Sequence, residues 1–295
     1  MGRFRKKITA LAAVTTTSIL LMSAACGNIS AVNAAESTGP TITVGVESNV
    51  PGLSVQHGER WSGFNVDVAQ YVAQGLGYAP KEIIWKNVPI DQRAQMLNNG
   101  SVDMIVSTYA ITPEHQQNVD FAGPYLIGGQ QLMVAKTNSS ISGVASLPGK
   151  SVCTASGSLP AHIITSTFGN KVTLVQLPTY AQCVTALLSG SVDAVMADGI
   201  VLAGLKKTKG DGYLKIVGKP FTRDDFGIAV KKNSPDLISQ INRTLRQMIN
   251  SGVWRSDFES AMAGTGYTLN DQWNKPSQLD AQDSDETVQW NGADT

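Results

Sequence analysis

The chain has 295 residues, of which 42% are hydrophobic and 16% are charged, and its 23 basic side chains balance its 23 acidic ones. That length is sufficient for two ordinary domains, and the composition excludes a fibrous or wholly disordered protein. Without its first 25 residues the chain keeps 19 basic and 23 acidic side chains, a net charge of −4. This mild acidity argues against nucleic acid as a partner, because no basic stripe remains to neutralise phosphates.

The first 25 residues have the layout of a secretory signal peptide. Four basic side chains precede an apolar run over residues 8–25, and a charged segment followed by an apolar one is typical of exported proteins. The run ends in the letters LLMSAACG at 20–27, which resemble a bacterial lipobox. We therefore predict that Cys26 carries a lipid anchor, and that residues 26–40 are a polar tether too rich in small side chains to pack.

Two other interpretations of this segment stay open: cleavage near Ala34 or Ala35, or retention as a transmembrane anchor. The three cysteines of the chain favour lipidation, because exported proteins keep few unpaired thiols and lipidation of Cys26 leaves an even pair. We predict that this pair, Cys153 and Cys183, forms a disulfide, with two buried free thiols as the alternative. No metal site is predicted, because the three histidines are scattered and no cysteine pair has ligand spacing.

The next segment is predicted to alternate strands and helices. Strands are expected at 41–46 and 81–88, on either side of a helix that ends at Gly75. A helix over 92–97 and a strand over 103–107 come next. Such alternation is typical of a parallel sheet covered by helices.

A second set of signals predicts where the chain changes lobe. Thr112 suits an N-cap and Pro113 the first position of the helix that follows it. The strand over 131–135 is expected to cross into a second lobe. A return near Pro220 is expected because 226–230 again has the pattern of a strand, followed by an amphipathic helix.

One phrase of the sequence occurs twice. The letters NGSVDMIV at 99–106 return as SGSVDAVM at 189–196, each time after a short apolar, helix-like run. In each copy the glycine suits a left-handed helix C-cap, and the apolar run after it suits a buried parallel strand. The repeat predicts two α/β lobes that face each other across a cleft, with Thr108 and Asp198 at the carboxyl ends of the two strands.

The predicted fold class is therefore α/β, with two lobes of doubly wound, mostly parallel sheets joined by two crossing strands. Paired crossings allow the lobes to rotate as rigid bodies. The expected divisions are a signal peptide at 1–25, a tether at 26–40, a first lobe at 41–131 and 221–263, a second lobe at 132–220, and a polar, mostly unpacked tail at 264–295.

Several phrases then converge on one family. They are GFNVDVA at 63–69, ITPE at 111–114, VDFAGPY at 119–125, LPGK at 147–150 and the two GSVD units. In this order, from about residue 41 to 258, they resemble the family 3 extracellular solute-binding proteins, which serve amino-acid ABC importers and have the type II periplasmic-binding-protein fold. The chain is most similar to the lipid-anchored glutamate-binding type of Gram-positive bacteria.

The resemblance implies specific ligand contacts. An Asp after the second repeated strand holds the ligand ammonium in that family, and Asp198 matches it, although a capping or solvated Asp is the plain alternative. Thr108 and Ala110, at the end of the first repeated strand, are further expected contacts. His115 stands where the family has a carboxylate-binding Arg, and Leu159 replaces a Thr that donates from the second lobe.

With those donors missing, the turn formed by Ser156, Gly157 and Ser158 is the remaining candidate for an anion, because it precedes a helix with free N–H groups. His115 is expected either to lie on the surface or to contact a ligand carboxylate. In the second case, affinity should weaken from about pH 6 to 8 as the imidazolium loses its proton.

Specificity signals point in opposite directions. Arg93 matches an Arg that holds the distal carboxylate in binders of acidic amino acids, whereas Glu47 matches an acid that holds the distal cation in binders of basic ones. The two side chains could also pair with each other. A small polar zwitterion is therefore predicted as ligand, with an acidic amino acid such as glutamate slightly favoured.

These observations predict a monomeric, non-enzymatic receptor without a cofactor. It is expected to lie outside the cytoplasm, held to the outer face of the membrane only by the lipid on Cys26, and to pass its ligand to an ABC permease with its ATPase. A ligand sensor for a membrane signalling partner is one alternative, and a dehydratase-type enzyme on the same fold is another. No paired nucleophile or carboxylates favour catalysis.

Overall fold

A computed structural model describes residues 40–210 and 212–276, and every structural statement below concerns those residues. The predicted signal peptide, Cys26, the tether up to residue 39 and residues 277–295 lie outside them. Within the described ranges, every helix is too short or too polar to cross a membrane.

Strands and helices alternate along most of the chain. The strands are β1 (Ile42–Val46), β2 (Val55–His57), β3 (Arg60–Ser62), β4 (Ile83–Asn87), β5 (Met104–Ala110), β6 (Asp120–Gly128), β7 (Gln130–Ala135), β8 (Ser151–Ala155), β9 (Thr173–Leu177), β10 (Ala194–Asp198), β11 (Leu214–Val217) and β12 (Asp224–Val230). The helices are α1 (Phe64–Gly75), α2 (Arg93–Asn98), α3 (Pro113–Gln116), α4 (Leu159–Ile163), α5 (Tyr180–Leu188), α6 (Gly199–Lys209), α7 (Pro235–Asn250), α8 (Val253–Ala261) and α9 (Asp271–Asn274).

Two five-stranded sheets have matching topology. The first lobe has the order β4-β1-β5-β12-β6, and the second lobe has β11-β7-β10-β8-β9. In each sheet three neighbouring strands are parallel, and one strand, β12 or β7, runs against the other four. The predicted α/β class with mostly parallel sheets is confirmed.

The two antiparallel strands come directly after the points where the chain changes lobe. β6 ends the first sheet at Gly128, and β7 begins in the second sheet at Gln130, so the outward crossing takes place at Gly129. The return crossing occupies residues 218–223, between β11 and β12. The one antiparallel strand of each sheet therefore follows directly after a crossing.

Local sequence signals explain where several elements begin and end. Thr112 accepts a hydrogen bond from the backbone N–H of His115 at 3.2 Å, and Pro113 starts α3. Gly100 and Gly190, the glycines of the repeated phrase, have left-handed φ values of 74° and 76° after α2 and α5. The repeat therefore does encode one helix–turn–strand unit in each lobe.

An aromatic cluster anchors the first lobe. Phe64 of α1 meets Trp254 and Phe258 of α8 edge to face, with ring centroids 5.6 and 5.1 Å apart. The indole N–H of Trp254 donates to the carbonyl oxygen of Tyr125 at 2.7 Å, so the buried ring leaves its polar atom satisfied. This cluster fixes β6, and with it the end of the first lobe from which the chain crosses.

In the second lobe, Cys153 of β8 and Cys183 of α5 form a disulfide, with Cα atoms 5.5 Å apart. The predicted pairing is confirmed, and both residues are fully buried. The bond ties the helix of the second repeated unit to the sheet on which it packs.

The first part of the predicted polar tail packs against the first lobe. Residues 264–276 include α9, and the buried side chain of Asn274 donates to the carbonyl oxygen of Ile127 at 3.0 Å. A Cβ atom at Gly129 would lie 3.3 Å from the ring of Trp273. In this part of the tail one Asn satisfies the backbone of β6 and one Trp lies beside the crossing, whereas residues 277–295 lie outside the described residues.

Candidate functional site

A cavity lies between the two lobes. Its lining is mixed in chemistry, with two acids, one Arg, one His, one amide and three hydroxyl groups among apolar side chains. The lining residues are Glu47, Ile90, Arg93, Thr108, Ala110, His115, Gln130, Ser158, Leu159, Pro160, Tyr180, Asp198, Val201 and Phe226.

The lobes touch each other around this cavity. The guanidinium of Arg93, in the first lobe, donates to the carbonyl oxygen of Gly157 in the second at 3.5 Å. Near the surface, Glu114 and His162 face each other across the same boundary at 3.7 Å. A Cβ atom at Gly157 would lie 2.9 Å from Asp91, so the lobes approach as closely as their backbones allow. The structure describes the closed form of the cleft.

Asp198, at the end of β10, is buried at the junction of cavity and crossing. One carboxylate oxygen accepts from the backbone N–H of Ile200 at 2.8 Å and so caps α6, and the other accepts from the N–H of Gly129. Burial, and then the nearby charge of Asp224, raises the pKa of Asp198 to about 8, although the backbone hydrogen bonds act in the opposite direction. A cation placed beside this carboxylate would offset much of the free-energy cost of burying its negative charge.

Arg93 begins α2 and supplies the fixed positive charge of the site. Its Nε–H donates to the carbonyl oxygen of Ile90 at 2.9 Å, and its guanidinium carbon lies 3.9 Å from the centre of the Tyr109 ring. Stacking on Tyr109 fixes the plane of the guanidinium. Two of the five guanidinium N–H groups donate to the carbonyl oxygens of Ile90 and Gly157. The remaining donors are available to an anionic group.

His115 does not replace the missing guanidinium. Its Nδ1 lies 2.8 Å from the carbonyl oxygen of Ala110, which can only accept, so Nδ1 carries the proton. Burial lowers the pKa of His115, and the charge of Arg93 lowers it further, against the opposing hydrogen bond to Ala110. The imidazole is thus neutral near pH 7 and packs edge-on against Tyr109 at 4.6 Å. A charged imidazolium at a ligand carboxylate stays a prediction, and burial of the ring works against it.

Glu47 follows β1 and is buried on the same side of the cavity as Arg93. Burial raises its pKa to about 7, and the charge of Arg93 lowers the pKa only in part. Among the described residues, no ion pair within 4 Å joins Glu47 to Arg93. The two side chains therefore do not pair with each other in this structure. Glu47 therefore exchanges its proton near neutral pH.

Thr108 and Ala110 stand on β5 where it enters the cavity. Thr108 has a left-handed φ of 43°, unusual for a β-branched residue. Its N–H donates to the phenolic oxygen of Tyr125 at 2.9 Å, and that hydroxyl donates to Asn65 at 2.8 Å. Such strain persists where surrounding contacts hold it, and here it turns the strand end towards the cavity.

The predicted anion turn is only partly at the cavity. Ser158 lines it, whereas Ser156 and Gly157 are not among the lining residues. The hydroxyl of Ser158 donates to the carbonyl oxygen of Ala155 at 2.5 Å, so it is already engaged. Tyr180 lines the same cavity beside Ser158, and burial raises the pKa of its hydroxyl.

The structure brings together seven of the nine ligand contacts that the sequence predicts: Glu47, Arg93, Thr108, Ala110, His115, Ser158 and Asp198. Sequence reasoning missed two polar lining residues, Gln130 and Tyr180. Gln130 reaches the cavity through antiparallel pairing of its strand, and Tyr180 through the start of a helix, and neither carries a motif. A single sequence offers no signal for such residues.

Comparisons with known proteins agree with this geometry. Residues 42–259 match the bacterial extracellular solute-binding proteins, family 3. The chain is 33% identical over 267 residues to the glutamate-binding protein GluB of Corynebacterium efficiens, covering 85% of this chain and 90% of the relative. It is also 33% identical over 261 residues to the glutamine-binding protein GlnH of Bacillus subtilis, covering 84% and 94%.

Among solved structures, an ancestral arginine-binding protein bound to arginine superposes with a TM-score of 0.70 at 29% identity. The superposition covers 77% of this chain and 99% of the arginine-binding protein. The relatives are binding proteins, and the family match includes both sheets and both crossings. The chain belongs to the family 3 bacterial extracellular solute-binding proteins.

Proposed function

We propose that this protein captures a small polar amino acid outside the cytoplasm and presents it, unchanged, to the permease of an ABC importer. The observation that carries the proposal is the distribution of charge in the cavity. Arg93 comes from the first lobe and Asp198 from the second. A zwitterion that contacts both stabilises the closed form over the open one, as a population shift requires.

The ammonium group of the ligand is assigned to Asp198. This carboxylate accepts the backbone N–H groups of Gly129, Ile200 and Val201, and a carboxylate has about four lone-pair sites, so some acceptor capacity remains. A buried ammonium is costly unless it is paired and hydrogen-bonded. Asp198 supplies the charge for that pairing, at the crossing where both lobes meet.

A carboxylate of the ligand is assigned to Arg93, whose held guanidinium gives a bidentate geometry. Glu47, beside it, can donate a hydrogen bond when protonated, and its raised pKa makes that form available near pH 7. We rank L-glutamate first among ligands. The relatives named for glutamate and glutamine support this order.

Export and anchoring remain part of the proposal. Cys26 lies outside the described residues, and the lipobox-like letters at 20–27 support its lipidation. Cys26→Ala is expected to release the protein into the medium of a Gram-positive host, while wild type stays with the membrane fraction and incorporates radiolabelled palmitate. Equal fractionation of both forms would contradict the anchor.

The ligand test is calorimetry of the purified protein with each of the twenty amino acids, with glutarate as control. Glutarate keeps both carboxylates of L-glutamate and lacks its ammonium. We expect binding of L-glutamate, no binding of glutarate, and recovery of the amino acid unchanged by NMR. Absence of amino-acid binding would overturn the receptor, and a transformed product would overturn the non-enzymatic assignment.

A further inference from the structure

Gln130 is the first residue of β7, immediately after the crossing at Gly129. Only 2% of its surface is exposed to solvent, and its side chain lines the cavity. Its backbone N–H donates to the hydroxyl of Thr222 at 2.8 Å, and its carbonyl oxygen accepts from the N–H of Phe221 at 3.1 Å. Gln130 thus joins the outward crossing to the return crossing.

The amide of Gln130 is held in one orientation. Its Nε2 donates to a carboxylate oxygen of Asp224 at 2.6 Å. Burial, and to a lesser degree the neighbouring Asp225, raises the pKa of Asp224 to about 6, while hydrogen bonds from Gln130 and Thr222 lower it. In the structure this carboxylate oxygen is the acceptor. The NH₂ group must face Asp224, which directs the amide oxygen elsewhere.

That oxygen, Oε1, is buried and has no hydrogen-bond partner within residues 40–210 and 212–276. An unsatisfied buried acceptor is unfavourable, and native proteins contain few of them. Because Gln130 lines the cavity, a ligand N–H is the partner that its position offers.

The register of the second sheet places this acceptor beside Asp198. In the antiparallel pair of β7 with β10, Gln130 lies directly opposite Asp198. Directly opposed residues on antiparallel strands project to the same face, with Cβ atoms about 4.5–5.5 Å apart. A donor bound to the Asp198 carboxylate is thus within reach of Gln130 as well.

We infer that Gln130 Oε1 is a second acceptor for the ligand's ammonium group and determines specificity for a primary ammonium. The inference rests on the proposed function and refines it. Asp198 supplies the charge, and Gln130 supplies an oriented neutral acceptor at the crossing. A primary ammonium has three N–H groups and can serve both, whereas methylation removes the donors that Gln130 needs.

The test compares Gln130→Met with its matched control Gln131→Met by calorimetry against L-glutamate and N,N-dimethyl-L-glutamate. Met keeps the length of the side chain and removes the amide. Gln131 is the next residue on β7, and its Nε2 donates to the carbonyl oxygen of Gly218 at a more exposed position. Gln130→Asn, which keeps the amide and withdraws its oxygen by one methylene, is measured in parallel.

For Gln130→Met we expect L-glutamate affinity to fall about tenfold to a hundredfold, the usual loss for one buried hydrogen bond. The preference for L-glutamate over its dimethyl analogue should shrink by a similar factor, and Gln130→Asn should behave likewise. Gln131→Met should retain both wild-type values.

Wild-type affinity in folded Gln130→Met, or an unchanged preference between the two ligands, would overturn the inference and leave the receptor intact. A wild-type protein that binds none of the twenty amino acids would instead remove the proposed function, and this inference with it.

Discussion

The carboxylate of Asp198 accepts a hydrogen bond from the backbone N–H of Gly129, the residue at which the chain passes from one lobe to the other. Its second oxygen caps α6 through the N–H of Ile200. One side chain therefore contacts the crossing, the helix and the cavity. Changes at Asp198 affect ligand binding and local stability for separate reasons, and the two are measured separately.

Replacement of Asp198 by Asn separates charge from capping. The one amide oxygen of Asn can keep the cap of α6, but the NH₂ group then faces the N–H of Gly129, so the melting temperature of ligand-free Asp198→Asn should fall moderately below that of wild type. Loss of a charge-assisted hydrogen bond to a buried ammonium costs about 3 kcal/mol, which weakens L-glutamate binding more than about a hundredfold in calorimetry. Asp198→Ala also loses the cap, about 1 kcal/mol of the free energy of unfolding. Wild-type affinity in the Asn variant would count against the ammonium contact.

The pH dependence of binding follows from the same carboxylate. A pKa of about 8 means that Asp198 in the ligand-free closed form is mostly protonated at pH 6, and an ammonium ligand binds the ionised form. Affinity should therefore rise from pH 6 to 8, by about 50-fold if this group alone controls it. Calorimetry in buffers of different ionisation enthalpy should also detect proton release. Affinity that falls with pH would point back to a charged His115.

The stability of the ligand-free protein has the opposite dependence. Glu47 and Asp198 bind protons more tightly when folded than when unfolded, with pKa values raised to about 7 and 8. Between about pH 4 and 8 the unfolded chain therefore binds fewer protons, and these two groups lower the free energy of unfolding as pH rises. Denaturant titration of wild type and Asp198→Asn should show a shallower decline in the variant. If the free energy of unfolding fell equally steeply with pH in wild type and Asp198→Asn, the assignment of this dependence to Asp198 would be contradicted.

Closure should depend on Gly204. This residue lies in α6, and a Cβ atom there would overlap the carbonyl oxygen of Pro51 in the first lobe. Gly204→Ala should weaken L-glutamate binding at least about tenfold, since it opposes only the closed form. Ala favours helix over Gly by about 1 kcal/mol, so the ligand-free protein should be as stable as wild type or more stable.

The control is Gly143→Ala, where no atom lies within 4 Å of the added methyl. Small-angle scattering should show a decrease in the radius of gyration on L-glutamate addition for wild type and the control, and a smaller one for Gly204→Ala. Identical compaction of all three proteins would show that α6 and the loop at Pro51 do not limit closure.

The disulfide should matter for stability and not for the ligand. Cys153 and Cys183 are 30 residues apart, and a loop of that length corresponds to about 3.5 kcal/mol of chain-entropy stabilisation. The Cys153→Ala/Cys183→Ala double variant should unfold at lower denaturant concentration and still bind L-glutamate in its folded form. A stability unchanged within about 1 kcal/mol would contradict the expectation.

Much of the fold was predictable because periodic patterns and the repeat at 99–106 and 189–196 are local signals. Each copy specifies its own cap and buried strand, and Thr108 and Asp198 then follow from the topology of parallel strands. The charge state of His115 was not predictable, because it depends on how deeply the imidazole is buried and on the carbonyl of Ala110. Both are properties of the assembled lobe.

Gln130 illustrates a second limit. Its role depends on which residue faces it on β10 and which carboxylate faces its amide, and Asp198 and Asp224 are 68 and 94 residues away in the chain. Periodicity identifies a strand but not the register of its antiparallel neighbour. Residues that enter a site through long-range pairing therefore stay hidden in a single sequence.

The family match ends at residue 259, yet the folded body continues to α9. Asn274 and Trp273 cover the rear of the outward crossing, on Ile127 and Gly129. A recombinant protein that ends at residue 259 would expose the outward crossing to water. The buried carbonyl oxygen of Ile127 would also lose its hydrogen bond from Asn274. The outward crossing between the lobes is thus covered by residues 273 and 274, which lie beyond the family match.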